Sequence, residues 1–573
     1  MDKREEQYAE EKKICGYCAE GEYLAVFGRG KGEMKRIVMQ IMRSVIIVIA
    51  VGTMAAMNSF AGTKPDINWG RAPNGEFWNG YSSRFIYAPA FDFKGVVGAT
   101  NYEYEVMDDR HNVHRFSAAT PDASLAEIWE KLPVGYVTVV CRANGAECGR
   151  RRFWKKSQFK EGAYPPPAKS FGLAYMRVMD AYFDMPQTKY LVRNGKLDPD
   201  YYLSGYPSKM LAAQISALVG YAERLKGKQN SGKVTTYLDT AKKAADDLIA
   251  GSIAAGKPLE FFTRTYAAGG EYNRFVGEED RIMLIYPARA GKAFLELYSA
   301  IPEKKYLDAA LRIAGTYAKL QGEDGTWPLL LNAETGKEYA SNRLQPYPVI
   351  EFLEALYEVT GEEKWRTMAD RAFKFVEAGP MRDWNWEGQF EDISPTKKRW
   401  QNLTKHAACA TAQYLLKRYP GDNERLAQAE ALVKFSEDQF VEWTIPYGDR
   451  AEPNGDDDGS WKYFCRPYTK WMTPCALEQY NCYYPIDASA ARFINTYIAL
   501  WRATNNIEYL AKARALGATA TRMQETDGFI NTWWIRGVER NDDRYHTWVN
   551  CMLATAKALA NLAEITAEVK ATP

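Results

Sequence analysis

The sequence predicts a mainly helical protein, an (α/α)6 toroid preceded by a small β-sandwich of the fibronectin III or immunoglobulin-like kind. Three observations carry that expectation. Hydrophobic spacing switches from period two to the helical period near residue 170, about twelve amphipathic segments follow, and punctuation groups those segments in pairs.

Residues 1–33 read as an N-terminal annotation extension, because the secretory signal they precede has its own possible starts at Met34, Met39 and Met42. In that signal, 34–61, the basic residues Lys35, Arg36 and Arg43 lead into an apolar run from Val45 to Met57 and then Ser59-Phe60-Ala61. The run is shorter than the roughly 20 residues that span a bilayer, so a cut after Ala61 and a secreted or periplasmic protein are expected, without stable membrane insertion. Cys141 and Cys148 are the expected disulfide pair of the remaining chain, across a short loop between strands.

Residues 62–160 form the expected β-sandwich. Phe91-Asp92-Phe93, Tyr102-Glu103-Tyr104-Glu105-Val106 and Tyr136-Val137-Thr138-Val139-Val140 alternate inward and outward faces. Tyr164-Pro165-Pro166-Pro167 stiffens a linker over 161–171, since consecutive prolines favour an extended chain. Residues 172–573 form the expected toroid. One mark of its repeat is a Gly-containing turn beside an aromatic ring, as in Asp324-Gly325-Thr326-Trp327, Trp386-Glu387-Gly388, Asp458-Gly459-Ser460-Trp461 and Asp527-Gly528-Phe529. The other is Tyr-Pro at a helix start, at Tyr206-Pro207, Tyr286-Pro287, Tyr347-Pro348 and Tyr484-Pro485, where the first turn has no use for the missing N–H.

Continuing the Tyr-Pro spacing leads to Lys405-His406 and Tyr545-His546, which puts both histidines of the helical region at inner-helix starts. Helix N-termini carry unpaired N–H groups and positive dipole ends, so a ring of them suits an anionic ligand and holds a histidine neutral. Arg281, Arg343 and Arg544 lie in the turns leading into such helices and are expected to clamp a carboxylate. Glu279-Asp280, Glu391-Asp392, Asp487 and Asp542-Asp543 gather carboxylates in the same turns, where helix capping is their alternative role. Trp384, Trp386, Trp461, Trp533, Trp534 and Trp548 divide between core and sugar-stacking platforms. Asn454-Gly455-Asp456-Asp457-Asp458-Gly459 opens like a calcium loop but reaches Cys465 where the closing Glu belongs, so no metal or other cofactor is expected.

The stretch Gln389-Phe390-Glu391-Asp392, with Trp400-Gln401-Asn402-Leu403, His406 and Tyr414-Leu415-Leu416, resembles a pattern of secreted (α/α)6 β-glucuronidases, relatives in fold of the unsaturated glucuronyl hydrolases. The resemblance covers about residues 170–570. A β-sandwich ahead of such a barrel is also similar to family-nine cellulases, but their Asp-Ala-Gly-Asp motif is missing here.

The resemblance and the carboxylates together imply a glycoside hydrolase acting on uronic-acid-containing glycans. Glu391 or Asp392 would be one catalytic carboxyl and Glu279 or Asp280 its partner, because glycoside hydrolysis uses two. His406 and His546 would tune the acid or position the sugar, and Arg281, Arg343, Arg544, Asp487, Trp461 and Trp548 would bind it. The alternative is a polysaccharide lyase or uronyl epimerase: Asn402 or an arginine neutralises the uronate carboxylate, a histidine is the base, and Tyr484 or Tyr545 the acid. A non-catalytic glycan-binding protein is the third reading. The partner in each case is an acidic oligosaccharide or polysaccharide. With 74 Lys+Arg against 72 Asp+Glu, nothing favours a nucleic acid.

Overall fold

The computed structural model describes residues 84–93, 95–226, 231–267, 279–391, 404–444, 471–478, 485–542 and 545–571. The extension, the signal segment and the calcium-like run lie outside these. No helix among the described residues is long and apolar enough to cross a membrane. Two compact units divide the chain, one holding Ala90–Trp154 and the other Lys155–Pro573 together with the short segment before Ala90.

The first unit is built from β1 (Ala90–Asp92), β2 (Tyr102–Asp108), β3 (Val113–Ala118), β4 (Asp122–Ser124), β5 (Gly135–Ala143) and β6 (Ala146–Lys155). Strands β6, β5, β2 and β3 lie side by side in that order, and β1 pairs with β4 as a separate ribbon. In β2 every second residue, from Tyr102 through Tyr104 and Val106 to Asp108, is buried, as the sequence alternation demands. Phe91 of the ribbon meets Phe153 of the larger sheet at 5.6 Å between ring centroids, and Trp129 stacks on Phe153. The unit is thus mainly β, with one short helical turn at Ala126–Trp129 and an aromatic core. Cys141 and Cys148 face each other across the β5–β6 hairpin as thiols, with sulfurs 3.2 Å apart rather than bonded.

The second unit contains α1 (Phe171–Asp184), α2 (Pro186–Asn194), α3 (Pro207–Leu225), α4 (Ser231–Ala250), α5 (Ile285–Ala300), α6 (Lys304–Leu320), α7 (Tyr347–Thr360), α8 (Glu363–Ala378), α9 (Lys405–Arg418), α10 (Asn423–Phe440), α11 (Asp487–Thr504), α12 (Ile507–Met523) and α13 (Val549–Ala571). Side-chain caps fix several starts: Ser170 accepts from the Leu173 amide, Asp422 from those of Glu424 and Arg425, and Asn506 from that of Glu508. All twelve amphipathic segments of the sequence appear; the short α2 was not anticipated.

The contacts close a ring. Helix α3 packs on α5, α5 on α7, α7 on α9, α9 on α11, α11 on α13, and α13 back on α3. Behind them stand α4, α6, α8, α10, α12 and, behind α13, α1. Each outer helix returns the chain between two inner ones, so the six inner helices run parallel and their N-termini share one end. At that end the connections are long, at 251–284, 321–346, 379–404, 441–486 and 524–548. At the other they are short, at 301–303, 361–362, 419–422 and 505–506.

Two of the glycine turns of the repeat, those at Gly325 and Gly528, share a physical cause. Gly325 has φ +88° and Gly528 φ +101°, and a Cβ on either would lie 2.2 Å from a carbonyl oxygen of an outer helix, that of Arg371 in α8 or Arg177 in α1. Only glycine allows both the backbone angle and the approach. Gly325→Ala and Gly528→Ala are expected to destabilise the protein by at least about 1–3 kcal/mol each, measured by urea unfolding. Gly421→Ala, with positive φ but open space, should cost less.

Candidate active site at the inner-helix N-termini

With a neighbour on either side and an outer helix behind, an inner helix has one face left, toward the axis of the ring. The partly exposed residues recur there at helical spacing: Arg289, Lys292 and Glu296 on α5, Tyr347 and Glu351 on α7, Ala488, Arg492 and Asn495 on α11, and Asn550, Ala554, Lys557 and Asn561 on α13. Bonds between adjacent helices join these stripes. Lys292 pairs with Glu351 at 3.1 Å, Arg289 Nη2 donates to the Tyr347 hydroxyl at 3.2 Å, and Asn561 Nδ2 to Asn495 Oδ1 at 2.9 Å. Lys292 and Glu351 keep 36% and 33% of their side chains exposed in the middle of the ring, so the lumen is wet.

Two carboxylates stand at its N-terminal end. Glu391 comes from the 379–404 connection, fastened by the Tyr266 hydroxyl donating to its carbonyl oxygen at 2.7 Å. Its Oε1 is paired with Lys209 Nζ from the first turn of α3, and its Oε2 accepts from the Tyr286 hydroxyl in the first turn of α5. Burial raises its pKa, but Lys209 and Tyr286 outweigh this and hold it below the ordinary carboxylate value. Only 2% of the Glu391 side chain is exposed, whereas Lys209 shows 21%. The lumen therefore meets the lysine, and Glu391 anchors it from behind.

Glu478 is the second. The pair of short strands Val441–Glu442 and Cys475–Ala476 delivers it beside the first turn of α9. Its Oε2 accepts from Lys405 Nζ at 2.8 Å and from the Ser489 hydroxyl, and its Oε1 faces His406 Nε2 at 3.2 Å. Burial raises its pKa, and Lys405 followed by His406 brings it well below the usual range. His406 has its own pKa held down at about 3, by burial first and then by Lys405, so its imidazole is neutral. With Nε2 donating to Glu478, Nδ1 is the nitrogen left to accept a proton. The Phe390 ring meets His406 edge-on at 5.3 Å and so links the two carboxylate groups.

Several expectations are corrected. Arg343 does not clamp a substrate, because its fork is bonded to both oxygens of Asp324 at 2.9 Å each. Asp487 is fully buried, accepts from the Ala488 amide and the Thr555 hydroxyl, and is pushed well up by burial; it ties α11 to α13 rather than touching a ligand. The Asp280 carboxylate accepts from Asn332 Nδ2 and from the Tyr339 hydroxyl, which secures the antiparallel strand pair 281–283/330–332. Arg281 lies over the Tyr339 ring at 4.8 Å beside that pair, and Arg264 donates to the Glu279 carbonyl oxygen. His546 precedes its helix by three residues and packs between Trp533 and Trp548. Trp384, Trp386, Trp533 and Trp534 are buried, which leaves Trp548 as the half-buried ring among the described tryptophans of the set. Asp392, Asn402, Tyr484, Arg544 and Trp461 lie outside the described residues.

The residues that sequence reasoning missed are Lys209, Glu478, Ser489, Arg289 and Arg492. A signal existed for some: Lys209 lies two residues after Pro207 and Arg289 three after Tyr286, one turn inside a Tyr-Pro mark. No three His, Cys, Asp or Glu side chains gather as a metal site among the described residues.

No protein-family model matches the sequence, and no curated protein is detectably similar to it. Among solved structures, a family 76 glycoside hydrolase from a bovine Bacteroides thetaiotaomicron strain aligns at 12% identity over 86% of this chain and 98% of its own, with a TM-score of 0.44. A cellobiose 2-epimerase from Spirochaeta thermophila aligns at 11% over 69% and 98%, TM-score 0.45. The polysaccharide lyase BACCELL_00875 aligns at 10% over 85% and 63%, TM-score 0.40. Likenesses of this degree assign neither a family nor a reaction.

The His406 environment sets a pH dependence. Its pKa is about 3 when folded against roughly 6.5 when unfolded, so the unfolded chain takes up the proton first as pH falls. The stability gained by keeping the imidazole neutral is complete above pH 6.5 and drains away between 6.5 and 3. Urea unfolding at pH 7 and pH 5 should show the wild type losing up to about 2 kcal/mol more than His406→Gln.

Proposed function

We propose that this chain acts on uronic-acid glycans within the lumen, by abstracting the proton α to the uronate carboxylate, as a lyase or epimerase does. The observation that carries the reading is the His406–Glu478 pair. A neutral imidazole with its tautomer set by a carboxylate, at the mouth of a wet, cation-lined lumen, is the arrangement a general base needs. Its side chain is 14% exposed and that of Glu478 17%, so both are within reach of the lumen. A bound uronate adds negative charge nearby and raises the affinity of Nδ1 for the proton.

Glycoside hydrolysis is the second reading. It requires a protonated carboxyl at the lumen, and Glu351, Glu391 and Glu478 are all held below the ordinary carboxylate value by their cations. The proton donor in that reading is Asp392, next to the anchored Glu391. Under either reading the protein is secreted or periplasmic and its substrate is an acidic oligosaccharide or polysaccharide.

A panel of uronic-acid polysaccharides separates the two. Proton abstraction produces ultraviolet-absorbing unsaturated ends, or deuterium incorporation at carbon 5 in heavy water. His406→Gln is expected to lower that rate by about 10²–10⁴-fold with the fold intact. New reducing ends without absorbance or deuterium, retained by His406→Gln and lost in Asp392→Asn, would establish hydrolysis instead.

A further inference from the structure

Arg492 is an anomaly in the lumen. It lies on the inward stripe of α11, half-buried, and its guanidinium has no carboxylate or hydrogen-bond acceptor among the described residues. What surrounds it is mostly like charge. Arg492 acts electrostatically on Lys405 and His406 of α9, on Lys292 of α5 and on Glu351 of α7. Glu351 is already paired with Lys292. Half-buried in a wet lumen, the guanidinium is left to water and to like charge, so its planar fork is open to a ligand that brings a matching acceptor.

Arg289 stands on the adjoining stretch of the same lumen. Arg289, Glu351 and Arg492 each lie little more than one turn into their helices, α5, α7 and α11, so the two arginines stand at one level of the ring, and both act electrostatically on Glu351. Arg289 makes one hydrogen bond, to the neutral Tyr347 hydroxyl, and lies beside the Tyr286 ring at 5.4 Å. Its remaining donors are pointed at no carboxylate within bonding distance. Among the described residues around them, the cations Lys209, Arg289, Lys292, Lys405, Arg492 and Lys557 outnumber the carboxylates Glu296, Glu351, Glu391 and Glu478. Planar forks with donors to spare, set among these cations, are matched to a carboxylate ligand.

We infer that Arg492 and Arg289 form the carboxylate-recognition site of the lumen and set the preference for a uronic acid over the corresponding neutral sugar. This deepens the proposed function, because it places the substrate carboxylate one turn inside the ring, next to His406, rather than at the entry-turn arginines. Arg492 is the specificity residue nearest the base, and Arg289 holds the carboxylate from the Glu391 side.

The test is binding, which does not require turnover. Affinities of the full chain for 4-nitrophenyl β-D-glucuronide and the matching glucoside are measured by calorimetry for the wild type, Arg492→Gln, Arg492→Lys and Arg289→Gln. The wild type is expected to prefer the glucuronide by on the order of tenfold to a hundredfold, the range of a charged hydrogen bond. Arg492→Gln should erase most of that preference, Arg492→Lys should keep part of it, and glucoside affinity should stay constant. Arg492→Gln should also unfold no more easily than the wild type, because it relieves repulsion from Lys405 and Lys292 without breaking a bond. The inference is overturned if the wild type shows no preference, or if both glutamine variants keep it. Binding with the expected pattern but no product from any uronate glycan would instead overturn the proposed reaction and leave the site standing.

Discussion

Ring closure is the constraint on which the rest of the molecule depends. Once α13 packs against α3, each inner helix has neighbours on both sides and an outer helix behind, so its fourth face has nowhere to go but the axis. Residues on that face cannot join the apolar core, and the sequence there is Arg, Lys, Glu, Asn and Ala rather than Leu and Ile. The outer helices, by returning the chain between successive inner ones, make the inner helices run parallel. Their positive ends then converge at the side with the long connections, where anions are favoured by the backbone itself. Long loops and helix N-termini meet there for a topological reason, and the candidate site follows from both.

Buried charge in this region comes in anchored sets. Lys209–Glu391–Tyr286 fastens a loop to two inner helices, and Lys405–Glu478–Ser489 with His406 does the same for a second loop. A carboxylate taken from water costs several kcal/mol unless a cation and hydrogen bonds replace the lost hydration, which both sets provide. Asp487 lacks a cation, and burial pushes its carboxyl well up. The contrast explains why burial ends in opposite shifts for these acidic residues.

Much of this was legible in the chain. Tyr-Pro marks and glycine turns report local backbone geometry, which is dictated by neighbours in sequence, so the helix pairs and the position of His406 could be read directly. Glu391 was recognisable from its motif, although its role was not, because Lys209 and Tyr286 arrive from distant helices. Arg343 looked like a substrate clamp and Asp280 like a catalytic carboxyl, and only the fold could show that Asp324, Asn332 and Tyr339 bond to them. Glu478 carries no local signal at all; it lies in a long connection and acquires meaning when the strands at 441–442 and 475–476 set it beside α9. Arg492 sits in the middle of an ordinary amphipathic helix, and its solitude is a property of three other helices.

The seam between α13 and α3 has a consequence for biogenesis. The helix that completes the ring follows the other twelve in sequence, and it packs on both α1 and α3 near the start of the helical unit. Until it emerges, the nascent chain is an open arc with apolar flanks at two free edges, and the partners for those edges are separated by nearly the whole unit. Such long-range pairing folds late and leaves the arc exposed to edge-to-edge association with another copy. Export of this chain in an unfolded form, or protection by a holding chaperone until the final helix is available, would spare it that hazard.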